Sequence, residues 1–349
     1  MAAKLLLAHL GIPLSHKLLP IVFILSTWGI TPSWADNAPS SCDSWTSIPV
    51  PDTDQPTSAE TQSLQGCDSE ALYYGIGTDA DPHKARLCAF HQIATAEEQR
   101  DLPAFEGAGI LMMIYANGKS TIRNIALAKR FACAIWSAPA ESEGRLEHLS
   151  HIEKTKDSHT DFDVCDDVTS GLMAGECTAH QERVAAARRR AALAGAIAKL
   201  NPVQRASLSE VEQSLELFIT TRSQGEIDKG GTIAAARLIT AESAVRQQYT
   251  ENLSKLLSGQ EESASAKTPL AADRKLNLIY QQLQTRKEFH AEGVGAEGIK
   301  TTQRSWLKYR DAWVRLGKTI DPMRSTESLL TGLTVQRVAM LKELLDDQV

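Results

Sequence analysis

The chain has 349 residues, of which 42% are hydrophobic and 23% charged, the balance of a globular protein with room for two modest domains. Its formal net charge of −6 argues against a nucleic-acid-binding protein, since such proteins present an excess of Lys and Arg to phosphates. Ala, Leu, Gln, Glu and Arg crowd the second half of the chain. Because these residues favour helices over strands, we expect an all-α fold.

The first 35 residues are typical of an export signal. Lys4 and Lys17 precede the apolar run LLPIVFILSTWGI, and Ala35 offers a small residue at the cleavage position. Cleavage would remove two lysines and no acid, so the net charge of −6 would become −8. We predict a periplasmic or secreted protein that is cleaved near Ala35 and has no stable membrane span afterwards. An uncleaved anchor, or a second apolar segment in KLLLAHLGIPL, is the alternative.

Export determines how the cysteines are interpreted. All of them lie in the mature part and their number is even, which predicts up to three disulfides whose pairing the sequence does not choose. No CxxC motif occurs, so thioredoxin-like chemistry has no support. The disulfide candidates are Cys42, Cys67, Cys88, Cys133, Cys165 and Cys177.

Residues 36–66 carry Pro and Ser at linker density and show no helical period, so we predict an acidic extended linker. From residue 36 to residue 83 the chain has nine Asp or Glu and no Lys or Arg. This segment is interpreted either as a solvated leader or as a surface that attracts a basic partner.

Two similar segments follow, ALYYGIGTDADPHKARLCAF and GILMMIYANGKSTIRNIALAKRFACAI. Superposing Tyr74 on Tyr115 also superposes Gly77 on Gly118. A repeat of about 40 residues predicts stacked helix pairs. The pattern resembles Sel1-like repeats over residues 67–144, which implies a helical scaffold for protein contacts with a glycine at the end of the first helix of each pair.

The next segments differ in polarity. Residues 145–170 are polar without an apparent apolar period, and we predict a linker there. Residues 171–262 carry apolar residues at steps of three and four and are predicted to form a long helical hairpin region. Ser207 and Glu210 have the spacing of a capping box at the start of its second helix.

Three closely connected helices are predicted over residues 270–346, where they should form a small antiparallel bundle. On the middle helix Ile299, Trp306 and Trp313 recur at intervals of seven, with Tyr309 between the tryptophans. This spacing predicts a row of large side chains facing the core. The cations between them are expected on the solvated side.

The motifs AADRKLNLIYQQL, IKTTQRSWLKYRDAW and ESLLTGLTVQRVAMLKEL resemble, in this order, the lysozyme inhibitor LprI family. That family commonly has a cysteine shortly after its RDA motif and another just before its LT motif, whereas Trp313 and Leu329 or Leu330 stand in that neighbourhood here. The matching positions with an expected structural role are Asp273, Leu276, Asn277, Tyr280, Gln303, Trp306, Tyr309, Leu333, Thr334 and Arg337.

The resemblance implies a non-enzymatic binding protein of the cell envelope that inhibits lysozyme, with a basic lysozyme as partner. From the resemblance we predict Arg304, Arg310 and Asp311 as partner-binding residues. The alternative for Arg310 and Asp311 is a structural ion pair with Asn277 or Tyr280. The alternative function is a Sel1-like scaffold that holds another envelope protein during assembly or stress.

An enzyme is the third hypothesis, and the sequence supports it least. His148 and His151 have the i, i+3 spacing of metal ligands, and His159, Asp161 and Asp163 follow, but polar residues in a loop are usually only solvated. No phosphate-binding loop and no nucleophile elbow occur in the sequence. We therefore predict no catalysis, no metal and no cofactor.

Overall fold

The computed structural model describes residues 42–97, 103–155, 161–260, 269–323 and 325–346. The predicted signal peptide and its cleavage site lie outside these residues. The regular structure within them is helical, which confirms the all-α class. Two short 3-10 helices, Asp52–Asp54 and Gln62–Leu64, accompany the helices α1 (Asp43–Thr46), α2 (Ser58–Thr61), α3 (Ser69–Tyr74), α4 (Pro82–Thr95), α5 (Ala108–Asn117), α6 (Ile125–Ala132), α7 (Pro139–Thr155), α8 (Gly171–Ala198), α9 (Pro202–Gly225), α10 (Ala234–Ser258), α11 (Pro269–Thr285), α12 (Ala296–Ile320) and α13 (Glu327–Asp346).

Helices α3 to α6 form two consecutive pairs, α3 with α4 and α5 with α6. The first helix of each pair ends at a glycine in the left-handed region, Gly75 with φ 72° and Gly118 with φ 67°. A residue with a Cβ atom adopts this conformation only with strain. The glycine that ends α3 is therefore Gly75, and not Gly77 as the superposition of Tyr74 on Tyr115 predicts. The assignment to Sel1-like repeats stays a prediction.

Residues 42–66 differ from the extended linker that their composition predicts. They form short helices, and Trp45, Ile48 and Val50 pack against the core below. Asp54 lies over that core as well, where its carboxylate accepts a hydrogen bond of 2.9 Å from the Tyr115 hydroxyl. These contacts to distant residues hold the segment on the protein surface. Because they produce no regular spacing of apolar residues, the sequence pattern does not reveal them.

The three disulfides join Cys42 to Cys133, Cys67 to Cys88 and Cys165 to Cys177. The first fastens the start of the described chain to the end of α6, and the third fastens the segment after α7 to α8. All six cysteines are thus used.

The predicted polar linker over residues 145–170 is helical in its first part, because α7 continues to Thr155. Leu146, Leu149 and Ile152, at steps of three, are buried in the first core. Polar residues between them conceal this period in the sequence. Farther along, Phe162 and Val164 are also buried, so the described part of this segment packs against the core.

Two large hydrophobic cores and a small cluster of Leu64, Leu87 and Cys88 occupy the described chain, and α8 extends from one large core to the other. The first core is built from residues between Cys42 and Cys177, the second from residues between Leu193 and Leu341. With 28 residues, α8 is about 42 Å long. The transition between the cores therefore lies within a continuous helix.

The second core combines the predicted hairpin region with the three predicted helices that follow it. The most extensive helix contact in the described chain is between α9 and α12. At their crossing, a Cβ atom on Gly225 would lie 2.6 Å from the Cα atom of Gly298. The two backbones touch there, so α11 to α13 share one core with α9 and α10.

The N-terminus of α9 also differs from the prediction. The helix begins at Pro202, and its capping box is formed by Asn201 and Gln204 rather than by Ser207 and Glu210. Proline at the first helical position favours this start, since its missing N–H is not needed there. The domain boundaries that the sequence suggests stay predictions.

Candidate functional site

The predicted partner-binding residues lie where α11 and α12 run antiparallel. Two contacts define this register: Gln284 donates to the carbonyl of Ala296 at 2.9 Å, and Arg310 lies 3.7 Å from the carboxylate of Asp273. Residues near the start of α11 therefore face residues in the second half of α12. We call the exposed side of this helix pair the α11–α12 face, formed by Asp273, Arg274, Leu278, Arg304, Leu307, Arg310 and Asp311.

The guanidinium group of Arg310 has three neighbouring side chains. Its guanidinium group lies 3.7 Å from Asp273 and 3.6 Å from Asp311, and it sits 5.2 Å from the centre of the Trp306 ring. The side chain of Arg310 is 22% exposed. Arg310 and Asp311 thus form an ion pair, and the group of α11 that Arg310 contacts is the carboxylate of Asp273 rather than Asn277 or Tyr280. The partner-binding role of these residues stays a prediction.

Arg304 differs from Arg310. It is exposed on α12 and makes no salt bridge or hydrogen bond to another residue in the described part of the chain. Arg274 on α11 is likewise exposed and unpaired within those residues. Within the described part of the chain, Arg304 thus has no salt bridge or hydrogen bond, whereas Arg310 is paired with Asp273 and Asp311.

The remaining motif positions are distributed between core and surface. Leu276, Trp306, Tyr309 and Leu333 are buried in the second core, Tyr280 packs against it, and Asn277 is exposed. The hydroxyl of Thr334 lies 3.5 Å from the carboxylate of Asp273, which brings α13 to the same anchor.

Comparison with protein families found a match in the C-terminal part of the chain. Residues 258–341 match the family model described as lysozyme inhibitor LprI. These residues form an LprI domain. No curated protein and no solved structure matched the chain.

The LprI domain is joined to α9 by a buried polar network that the sequence analysis missed. The guanidinium group of Arg337 donates to both carboxylate oxygens of Glu226, at 2.7 and 2.5 Å, and its Nε donates to Gln303 at 3.0 Å. Arg222 lies 3.9 Å from the same carboxylate, and burial lowers the pKa of its guanidinium group. Glu226 and Arg337 are 111 residues apart, so no local pattern could reveal the pair.

Aromatic packing occupies the region where the family commonly has its disulfide. Trp313 is fully buried, with its ring 5.8 Å from that of Tyr249 on α10 and 6.1 Å from that of Tyr309. Leu329 approaches Gly317 on the other side. Trp313 thus packs in a core that the LprI domain shares with α10.

The histidines of the enzyme hypothesis are separate from the LprI domain. His148 lies on α7, where its Nδ1 atom is 3.2 Å from the Asp167 carboxylate and its ring meets the edge of Phe162. Among the described residues, no group of three or more His, Cys, Asp or Glu side chains could hold a metal ion. His159 lies outside the described residues.

Among the residues that the structure describes, no helix is long and apolar enough to cross a membrane.

Proposed function

We propose that this chain is an exported, non-enzymatic binding protein whose LprI domain inhibits lysozyme. The observation that carries this proposal is the match of residues 258–341 to the lysozyme inhibitor family. The three disulfides are typical of periplasmic and secreted proteins, and they support the predicted export.

The LprI domain carries the partner-binding residues in this proposal. Arg304 offers an exposed guanidinium group on α12, and Arg310 on the same helix lies next to the carboxylates of Asp273 on α11 and Asp311 on α12. Arg304 would contact the partner directly. Arg310 and Asp311 would keep α11 and α12 in register, and Asp311, whose side chain is 59% exposed, would add contacts at the edge.

The test is a titration of a basic, chicken-type lysozyme with the mature protein, residues 36–349, with hydrolysis of bacterial cell walls as the readout. We expect saturable inhibition at micromolar or lower concentration. Because the LprI domain shares its core with α9 and α10, the full mature chain is the appropriate reagent. Unchanged hydrolysis, with the chain in large excess, would refute the inhibitor function.

A scaffold function is the second candidate, favoured by the first core. Residues 42–177 form a hydrophobic core with three disulfides outside the LprI domain. An inhibitor that used residues 258–341 alone would not need this core. Affinity capture from periplasmic extract tests this function. Retention of one discrete envelope protein, combined with unaffected lysozyme activity, would favour the scaffold over the inhibitor.

A further inference from the structure

The free surface of the LprI domain is limited by the helices that pack around it. One side of α12 rests on α9, where Thr302 donates to the carbonyl of Thr221 at 2.9 Å and the ring of Tyr309 stacks on that of Phe218. The buried side of α11 packs mainly against α13. In the part of the chain that the structure describes, Arg274, Leu278, Arg304 and Leu307 of the α11–α12 face are exposed to solvent.

Apolar side chains are exposed on this face. Leu278 on α11 is 57% exposed and Leu307 on α12 is 36% exposed. The bridge between Arg310 and Asp273 connects the two helices beside them and restrains their relative position. A restrained surface of this kind loses little conformational entropy when a partner binds.

The charge of the face is positive, whereas the chain carries a net charge of −6. Asp273 and Asp311 are both directed at Arg310, and Arg274 and Arg304 keep their charges unpaired among the residues that the structure describes. Exposed leucines beside unpaired arginines complement a partner surface that is apolar and acidic.

A basic lysozyme offers such a surface at its substrate cleft. Glycoside hydrolases place two carboxyl groups at the scissile bond, and their sugar-binding clefts are lined by apolar side chains. The rest of a basic enzyme would repel Arg274 and Arg304, so the electrostatic energy favours the cleft over the outer surface.

We propose that the α11–α12 face docks onto the carboxylate-lined substrate cleft of lysozyme, with Arg304 directed at the carboxylates and Leu307 at the apolar wall. This inference rests on the proposed function and adds to it the contact surface and a competitive mode of inhibition.

The experiment measures binding of a chicken-type lysozyme to the mature chain by calorimetry, with and without an N-acetylglucosamine trimer that fills the cleft. We expect the trimer to compete with the chain. Arg304→Glu should weaken binding at least about tenfold, because it places a carboxylate against carboxylates. Leu307→Ala should weaken binding about fivefold, through lost apolar contact.

The matched control is Arg190→Glu, which makes the same charge change at an exposed position of α8. It should alter the affinity less than about twofold, since Arg190 lies outside the LprI domain. Circular dichroism of each variant checks that the helices are retained.

The outcomes separate the two proposals. If lysozyme binds but neither the trimer nor Arg304→Glu affects the affinity, the docking surface is wrong while the inhibitor function stands. If Arg190→Glu weakens binding as much as Arg304→Glu, the interaction depends on net charge and the docking surface is again wrong. A complete lack of binding overturns both proposals.

Discussion

Arg337 and Glu226 form a fully buried ion pair between α13 and the end of α9. Two hydrogen bonds, of 2.7 and 2.5 Å, join them, and the Arg337 side chain is 0% exposed. Since Arg337 belongs to the LprI motif and Glu226 precedes the matched residues, the pair connects the family domain to a helix outside it. Together with the Gly225–Gly298 contact, it makes α9 part of the same packed unit.

Replacing Arg337 by Met should destabilise the protein by about 3 kcal/mol, because the buried Glu226 carboxylate would lose both hydrogen bonds from Arg337 and keep only Arg222, 3.9 Å away, as a charged partner. The double variant Arg337→Met with Glu226→Leu should recover only part of this loss, since it removes both charges of the pair but leaves the buried guanidinium group of Arg222 without its carboxylate. Urea unfolding of the three proteins measures the difference.

The control for this prediction is the exposed pair of Arg315 and Glu210, which are 3.0 Å apart and each more than half exposed. Arg315→Met should cost less than about 1 kcal/mol. Equal effects of Arg315→Met and Arg337→Met would contradict the role assigned to burial.

Gly298→Ala should destabilise the contact between α9 and α12. The added Cβ atom would lie 2.7 Å from the Cα atom of Gly225, and a backbone cannot move aside as a flexible side chain can. The overpacking should lower the free energy of unfolding by about 1 to 3 kcal/mol. This loss should exceed the gain in helix propensity from Gly to Ala, which is small near a helix end. Thermal unfolding should show a lower midpoint.

Gly195→Ala is the matched control, because nothing lies within 4 Å of a Cβ atom at this position of α8. It should stabilise the protein by about 0.5 to 1 kcal/mol through helix propensity alone. The prediction fails if both alanine variants shift the midpoint in the same direction.

The disulfides should contribute unequally to stability. Cys42 and Cys133 are separated by 91 residues and Cys165 and Cys177 by 12. In the chain-entropy description, removing the Cys42–Cys133 disulfide lowers the free energy of unfolding by about 4 to 5 kcal/mol, because it closes the longer loop. Removing the Cys165–Cys177 disulfide lowers it by about 3 kcal/mol. Paired Cys→Ala variants, compared by urea unfolding, check this order, and a larger loss for the shorter loop would refute it.

Glu70 should make stability depend on pH. Burial by itself would raise the pKa of its carboxyl group, but hydrogen bonds from His180 at 2.6 Å and from Arg183 at 2.7 and 2.8 Å outweigh burial, so the pKa lies below its ordinary value of 4.5. A carboxyl group with a lowered pKa stabilises the folded state at pH values above its ordinary pKa. This contribution is lost as the pH falls through the folded-state pKa.

Glu70→Gln should therefore lower the melting temperature near pH 7, and the difference from the unaltered protein should shrink as the pH falls below about 4. Glu106 acts in the opposite direction, because burial and the nearby carboxylates of Asp68 and Glu70 raise its pKa. Because Glu70→Gln removes one of these carboxylates, both proteins should carry Glu106→Gln, so that the titration of Glu106 does not contribute to the difference. A difference that is constant from pH 7 to pH 3 would contradict the prediction, and Glu147→Gln, at an exposed position of α7, is the control.

Local patterns in the sequence were sufficient for the helical class and for the LprI domain. Helix formers dominate the second half, and the seven-residue spacing of Ile299, Trp306 and Trp313 corresponds to one buried side of α12. The motif residues of α11 to α13 identify the family because they follow one another within a short stretch of chain. Periodicity failed for α7, where polar residues separate Leu146, Leu149 and Ile152.

Only the tertiary structure decided which groups meet. The pairing of Cys42 with Cys133, the choice of Asp273 as the anchor of Arg310, and the buried contact of Arg337 with Glu226 all join residues that are distant in the chain. The sequence by itself determined the helical class and the family, since these depend on local propensity and on motifs of neighbouring residues. Contacts between distant residues depend on how the helices pack, and this packing leaves α12 with one side against α9 and Arg304 on the exposed α11–α12 face.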